Sequence, residues 1–325
     1  MISPDNHGYE IRAIARLDPN ESADFLHHDR HCSDNVLFCR INLAQVTDAG
    51  ERRMREQATS DERQRDTMKI GRTTTPAGTT FVGIDPRDRG RQVAEIAGTP
   101  FGEVAFTGNT WDLDDVELLA PVTPSKVLCI GKNYADHAAE MGAEAPADPV
   151  IFMKPSTAVI ASGQPIVLPR SATEVHYEGE LAVVIGAAAF QVPAEDALNY
   201  VFGYTIGNDV VSRDQQRHDG QWTRGKGHDT FCPLGPWVET DLDASDLSIV
   251  TTVDGQVRQN SSTSLLLHTI PRIIEWISEA MTLLPGDVIL TGTPKGVGAI
   301  APGQRVQITV EGIGTLDNPV VSGHR

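Results

Sequence analysis

The triplet Glu178-Gly179-Glu180 sets two carboxylates at positions i and i+2. On a strand such positions share a face, so the two acids project side by side. Paired carboxylates repel unless a cation sits between them or one keeps its proton. Glu180 also heads the run LAVVIG, which reads as buried strand, where an uncompensated charge is costly. Asp209 follows VFGYTIGN, a second apolar strand-like run that ends in a polar segment. Carboxylates gathered at strand ends suit a hard divalent cation, with water or substrate oxygens filling the octahedron. The competing reading makes them surface acids in a chain with 44 of them, and E-x-E is a loose pattern.

A second group is Tyr134-Ala-Asp-His137-Ala-Ala-Glu140. If this segment turns as a helix, His137 and Glu140 at i and i+3 lie on one face. A carboxylate beside an imidazole raises its basicity and fixes its tautomer, as a general base acting on water requires. An exposed polar helix carries such pairs equally well. Lys226 stands between glycines in TRGKGHD; it suits an anionic substrate or a developing enolate, or is an ordinary loop lysine. Gly292-Thr-Pro-Lys-Gly-Val-Gly298 lacks phosphate-loop spacing and reads as a turn after a strand. The cluster His27-His28-Asp29-Arg30-His31-Cys32 has no second ligand group at finger-like spacing, which disfavours a tetrahedral metal site. No G-x-S-x-G elbow occurs, and Cys32, Cys39, Cys129 and Cys232 match no catalytic-cysteine signature.

The scaffold for these residues is read from periodicity. Short β-type runs dominate: KVLCIG, IFMKPS, PIVLP, ELAVVIG, VFGYTIGNDV, VILTG and VQITV. One helix stands out, with Ile270, Ile273, Ile274, Ile277, Met281 and Leu284 on one face. Thr269 and Pro271 suit its start, and Pro285-Gly286 stop it. Many strands with few helical crossovers oppose a doubly wound sheet and predict a β-rich α+β architecture. Met68 opens MKIGRTTTPAGTTFVGI, a predicted hairpin around Pro-Ala-Gly. Residues 1–67 hold 9 Arg, no Lys and 13 acids without a sustained apolar period. They read as a polar extension, poorly ordered or ahead of the native start. Residues 68–121 read as a small α+β module and 122–325 as the main domain.

Composition narrows the partners. The 27 Lys+Arg against 44 Asp+Glu leave a formal net charge of −17, which repels nucleic-acid phosphates. No apolar run has the 18 or so residues a membrane helix needs. The first residues fit neither a secretory signal nor a transit peptide, so the cytoplasm is expected. The four cysteines form no CxxC pair and read as reduced thiols.

In order along the chain, VLCIGKNYADHAAEMG, PVIFMKPSTAV, VHYEGELAVVIG, GYTIGNDVVSRDQQ, QWTRGKGHDTFCPLGPW and LLPGDVILTGTPKGVG resemble the fumarylacetoacetate hydrolase family, from about Met68 to Arg325. The resemblance implies a mixed β-roll assembled as a homodimer, and a Mg²⁺ or Mn²⁺ ion held by Glu178, Glu180 and Asp209. It implies that His137 and Glu140 are an acid–base dyad on a lid, and that Lys226 is the catalytic lysine. Arg213, Gln216, Lys154 and Thr293 fall where the family contacts substrate or braces the site. The implied activity is carbon–carbon bond cleavage in a small 2-oxo acid through an enolate, as acylpyruvate hydrolysis or oxaloacetate decarboxylation. Isomerisation or hydration of 2-hydroxy-dienoate or 2-oxo-enoate acids is the alternative enzyme class. A non-catalytic protein that binds metal and 2-oxo acid is the alternative outside enzymes. His228 and Lys132 depart from the residues that relatives often carry, which bears on the pocket and not on the triad.

Overall fold

Residues 68–84, 92–142 and 144–323 are described by a computed structural model, so the expectation for residues 1–67, including the His27–Cys32 cluster, lies outside them. The strand Gly179–Ile185 runs through the middle of a 12-stranded sheet. Its β-branched and aliphatic residues are buried on both faces. Leu181, Val183 and Ile185 enter one core, while Ala182 and Val184 enter another. This is the two-residue period of a strand buried on both sides. It pairs antiparallel with Val201–Asn208 on one side and Val288–Leu290 on the other. Beyond Val288–Leu290 come Val127–Gly131, in parallel, and then Val150–Lys154. On the other side Val201–Asn208 pairs with Cys232–Glu239, which carries the amino-terminal strands through Lys69↔Glu239 and Ile70↔Val238.

The strands Lys69–Thr75 and Gly78–Ile84 form the expected hairpin, closed by Thr75↔Gly78. Apart from a short 3₁₀ turn at Leu113–Asp115, the regular elements described over residues 68–121 are strands. A separate five-stranded sheet includes Ser248–Val253, Gln256–Ser262 and Arg305–Val310. It packs under the Leu181 face, where Ile249, Val253, Val306 and Ile308 join the same core. The predicted β-rich α+β architecture, a mixed roll with antiparallel and parallel pairs, is what the chain adopts.

We label the helices α1 (Ala135–Glu140), α2 (Arg213–Asp219), α3 (Thr223–Lys226) and α4 (Ile270–Ala280). Helix α4 buries Ile270, Ile273, Ile274 and Ile277, each worth about 1.5–3 kcal/mol when fully removed from water. It ends earlier than its apolar period suggests. Met281 is the C-cap, and Leu284 lies beyond it and is 44% exposed. The chain turns there because Leu283 is needed in the core, where it makes a bridge with Ala189. No helix among the described residues is long and apolar enough to cross a membrane.

Candidate active site

Glu178 follows the short strand Val175–Tyr177, and Glu180 is the second residue of Gly179–Ile185. Both point the same way, as their spacing predicts, and both are buried, which rules out the surface-acid reading. The glycine between them is a steric requirement. A Cβ on Gly179 would lie 2.2 Å from Thr251 Oγ1 of the five-stranded sheet. Asp209 sits just past Val201–Asn208, and its N–H donates to the Glu178 carbonyl at 2.8 Å. One ligand oxygen from each of Glu178, Glu180 and Asp209 falls within 4.8 Å of the others.

Cations from three other segments face this triad. Lys226 Nζ, from α3, donates to Glu178 Oε2 at 2.5 Å and to Asp209 Oδ2 at 2.6 Å. Lys154 Nζ, from the edge strand, donates to Asp209 Oδ1 at 2.6 Å and to the Val210 carbonyl at 2.9 Å. Arg213, the first residue of α2, donates to Glu178 Oε1 at 2.5 Å and to Gln216 Oε1 at 3.0 Å. Burial opposes ionisation of Glu178, but Lys226 and Arg213 outweigh it and hold the carboxyl well below the usual range. Burial likewise opposes the charge on Lys226, yet Asp209 and Glu178 raise its pKa, so it stays an ammonium ion.

Glu180 differs. It makes no ion pair among the described residues, and its Oε2 accepts only from the Gly292 N–H, at 2.7 Å. Burial first, then the charges of Asp209 and Glu178, push its carboxyl well above the ordinary value. A buried acid in this position lacks a positive partner. Three hard oxygen donors, one of them on a carboxyl that no side-chain cation touches, fit a divalent cation such as Mg²⁺ or Mn²⁺.

Helix α1 brings His137 and Glu140 together as predicted, with Nδ1 3.3 Å from Oε2. His137 is only 5% exposed. The Glu140 carboxylate also accepts from the Gly296 N–H, at 3.1 and 3.2 Å. A cavity of about 230 Å³ is lined by His137, the acidic triad, Arg213, Gln216, Lys226 and Thr293 among others. Phe152 and Trp222 wall it, packed edge to face with centroids 5.0 Å apart. Lys154 stands outside the lining, behind Asp209.

Two positions are absent from the sequence reading. Gln259, 1% exposed, accepts from the Gly179 N–H at 3.0 Å and donates to Thr293 Oγ1 at 2.7 Å and the Pro294 carbonyl at 2.8 Å. Thr293 Oγ1 in turn donates to the Gly179 carbonyl at 2.9 Å, so the triad strand and the Gly292–Gly298 turn are cross-linked. Asn133, fully buried, ties the chain before α1 to His268 and Thr291. A glutamine within the polar run QVRQNSS carries no sequence signal for such a role. Of the cysteines, Cys129 and Cys232 are buried and free, and burial pushes the Cys232 thiol up to about 12, so neither is a nucleophile.

Residues 126–321 match the family described as fumarylacetoacetate (FAA) hydrolase, C-terminal, and residues 68–121 match one described as Rv2993c-like, N-terminal. Protein Rv2993c of Mycobacterium tuberculosis is 60% identical over 260 residues, covering 78% of this chain and 98% of that protein. The oxaloacetate tautomerase YisK of Bacillus subtilis is 42% identical over 245 residues, or 71% of this chain and 81% of that one. The crystal structure of a 5-carboxymethyl-2-hydroxymuconate delta-isomerase from Mycobacterium smegmatis shares 60% identity at a TM-score of 0.74, over 79% of this chain and 100% of that one. With the family matched over most of its length, and a buried acidic triad in its core, the chain belongs to the fumarylacetoacetate hydrolase family.

Proposed function

We propose that this chain moves a proton at the carbon beside the keto group of a small 2-oxo acid, with Mg²⁺ or Mn²⁺ held by Glu178, Glu180 and Asp209. The observation that carries the reading is the placement of buried His137, backed by Glu140 at 3.3 Å, on the wall of the cavity that also holds the acidic triad. A cavity of about 230 Å³ suits a substrate of few heavy atoms. The bound divalent ion supplies stabilisation of negative charge on a substrate oxygen. His137 takes the proton and returns it, and Glu140 orients the imidazole. Lys226 stays charged, so its part is electrostatic and not that of a base. Gln216 gives its carbonyl to Arg213 and keeps its amide N–H groups for a substrate oxygen. Lys154 and Thr293 brace Asp209 and Gly179.

One relative is named for a tautomerisation and another for an isomerisation. That supports proton transfer ahead of the hydrolysis or decarboxylation expected from sequence. The test follows the ultraviolet absorbance of enol-oxaloacetate with Mn²⁺ and protein while pyruvate is assayed in the same cuvette. Enol loss without pyruvate is expected, and His137→Ala should slow it by about 10²–10⁴-fold. Pyruvate appearing with the enol decay would replace this reading by carbon–carbon cleavage. An enol signal unaffected by protein would end it.

A further inference from the structure

Lys132 is the residue that the proposed chemistry leaves unused. It lines the same cavity as His137 and the triad and is half-buried. Its backbone lies in the left-handed region at φ 59°, where side-chain-bearing residues are uncommon. Such conformations persist when the surroundings impose them, and they gather at ligand sites. Here the surroundings do impose it. Gly131 on one side has no room for a Cβ, which would lie 2.6 Å from the Trp222 ring. Asn133 on the other side accepts from the His268 N–H at 2.7 Å and donates to the Thr291 carbonyl at 2.8 Å. The lysine is thus presented to the cavity by a turn held at both ends.

Charge gives that presentation a purpose. The buried carboxylates of Glu178, Glu180 and Asp209 face the buried cations Lys154, Arg213 and Lys226, three against three. Arg217, also on the cavity wall, is already paired with Glu174 at 2.5 Å. Lys132 has no ion-pair partner among the described residues and adds a positive charge beyond those a triad-bound divalent ion brings. In a chain with net charge −17, this local excess selects for a substrate with more than one negative group.

We propose that Lys132 reads a second carboxylate, so that the cavity takes 2-oxo dicarboxylic acids in preference to 2-oxo monocarboxylic acids. The inference deepens the proposed function and rests on it for the site, while its test needs no turnover. Oxamate and N-oxalylglycine share one oxalyl-amide head and differ by a distal carboxylate. Their dissociation constants are measured by calorimetry on Mn²⁺-loaded wild type, Lys132→Met and Lys132→Arg. Methionine keeps the length and the backbone constraint but removes the charge.

Wild type should prefer N-oxalylglycine. Lys132→Met should weaken that ligand by about 10–100-fold, as expected for a charge-assisted contact, and leave oxamate within about twofold. Lys132→Arg should restore most of the preference. Equal weakening of both ligands, or of neither, would overturn the inference. Failure of the enol assay, with this binding split intact, would instead remove the proposed reaction and leave the dicarboxylate preference standing.

Discussion

At Asp209 each carboxylate oxygen accepts from a buried lysine, Lys154 and Lys226, both at 2.6 Å. Glu180 is equally buried and has only the Gly292 N–H. The two acids therefore answer substitution differently. Asp209→Asn leaves buried Lys154 without a carboxylate and Lys226 with Glu178 alone, and breaking a buried ion pair typically costs about 3–5 kcal/mol. Glu180→Gln removes a carboxyl that no side-chain cation touches and whose ionisation burial opposes, so the unfolding midpoint of the metal-free protein should stay level or rise. Both variants should lose Mn²⁺ affinity by more than about tenfold, the lower end even of losses from outer-shell changes. Calorimetry and thermal melts on the same preparations check this, and a stabilised Asp209→Asn would contradict the ion-pair assignment.

The raised Glu180 carboxyl also sets a pH dependence. An acid whose folded pKa is raised contributes stability that is full below its unfolded value and is lost as pH rises through the folded one. Glu178, held low, contributes stability that is full at neutrality and lost only in acid, so it adds no pH dependence there. Metal-free wild type should thus lose melting temperature relative to Glu180→Gln as pH rises from the ordinary carboxylate range toward the raised Glu180 value. Mn²⁺ must displace that proton, so its affinity should rise over the same range.

Among the elements, helix α1 is only six residues long and is held to the Gly292–Gly298 turn through Glu140 and the Gly296 N–H. Gly296 has φ 98°, and a Cβ there would lie 2.1 Å from the Arg258 carbonyl oxygen. Tyr177 adds a hydrogen bond from its hydroxyl to the Gly296 carbonyl at 2.7 Å. Gly296→Ala should therefore displace the turn at a stability cost of about 1–3 kcal/mol. It should lower kcat by releasing Glu140 while leaving Mn²⁺ affinity near that of wild type, since no triad oxygen bonds to Gly296. Kinetics with a parallel metal titration decide this. A parallel fall in metal affinity would show that the turn acts on the triad instead, through Gly292 and Thr293.

For the molecule as a whole, the amino-terminal strands belong to the main sheet. Ile70, Ile96 and Val122 share a core with Val127, Ala182, Val184 and Leu290. Met68 is itself anchored, since its N–H donates to Thr240 Oγ1 at 3.3 Å and its carbonyl accepts from that hydroxyl at 2.8 Å. A match of 260 residues already spans 98% of Rv2993c. A chain beginning at Met68 should therefore fold, keep its oligomeric state (a homodimer is what the family resemblance implies) and match full-length turnover. One beginning at residue 122 should be insoluble, because the shared core is cut open. Melting temperature and size-exclusion elution of both chains test this, and a large drop for the Met68 start would assign residues 1–67 a part in the fold.

What the sequence by itself determined is what a few neighbouring residues dictate. Strand geometry alone makes Glu178 and Glu180 share a face, and a single helical turn alone brings His137 to Glu140. The ordered motifs likewise sufficed to recognise the family. Only the tertiary structure decided that the triad is buried and that Lys154, Arg213 and Lys226 converge on it. Their spacings from Asp209 and Glu178, 55, 35 and 17 residues, follow no local period. Gln259 lies 80 residues from the Gly179 it holds, in a different sheet, and nothing in its own neighbourhood marks it. Helix α4 stops short of Leu284 for the same reason, because packing of Leu283 against Ala189 overrides a period that continues on paper. Backbone geometry writes the first kind of information into adjacent residues, whereas the second exists only once strands far apart in the chain have paired.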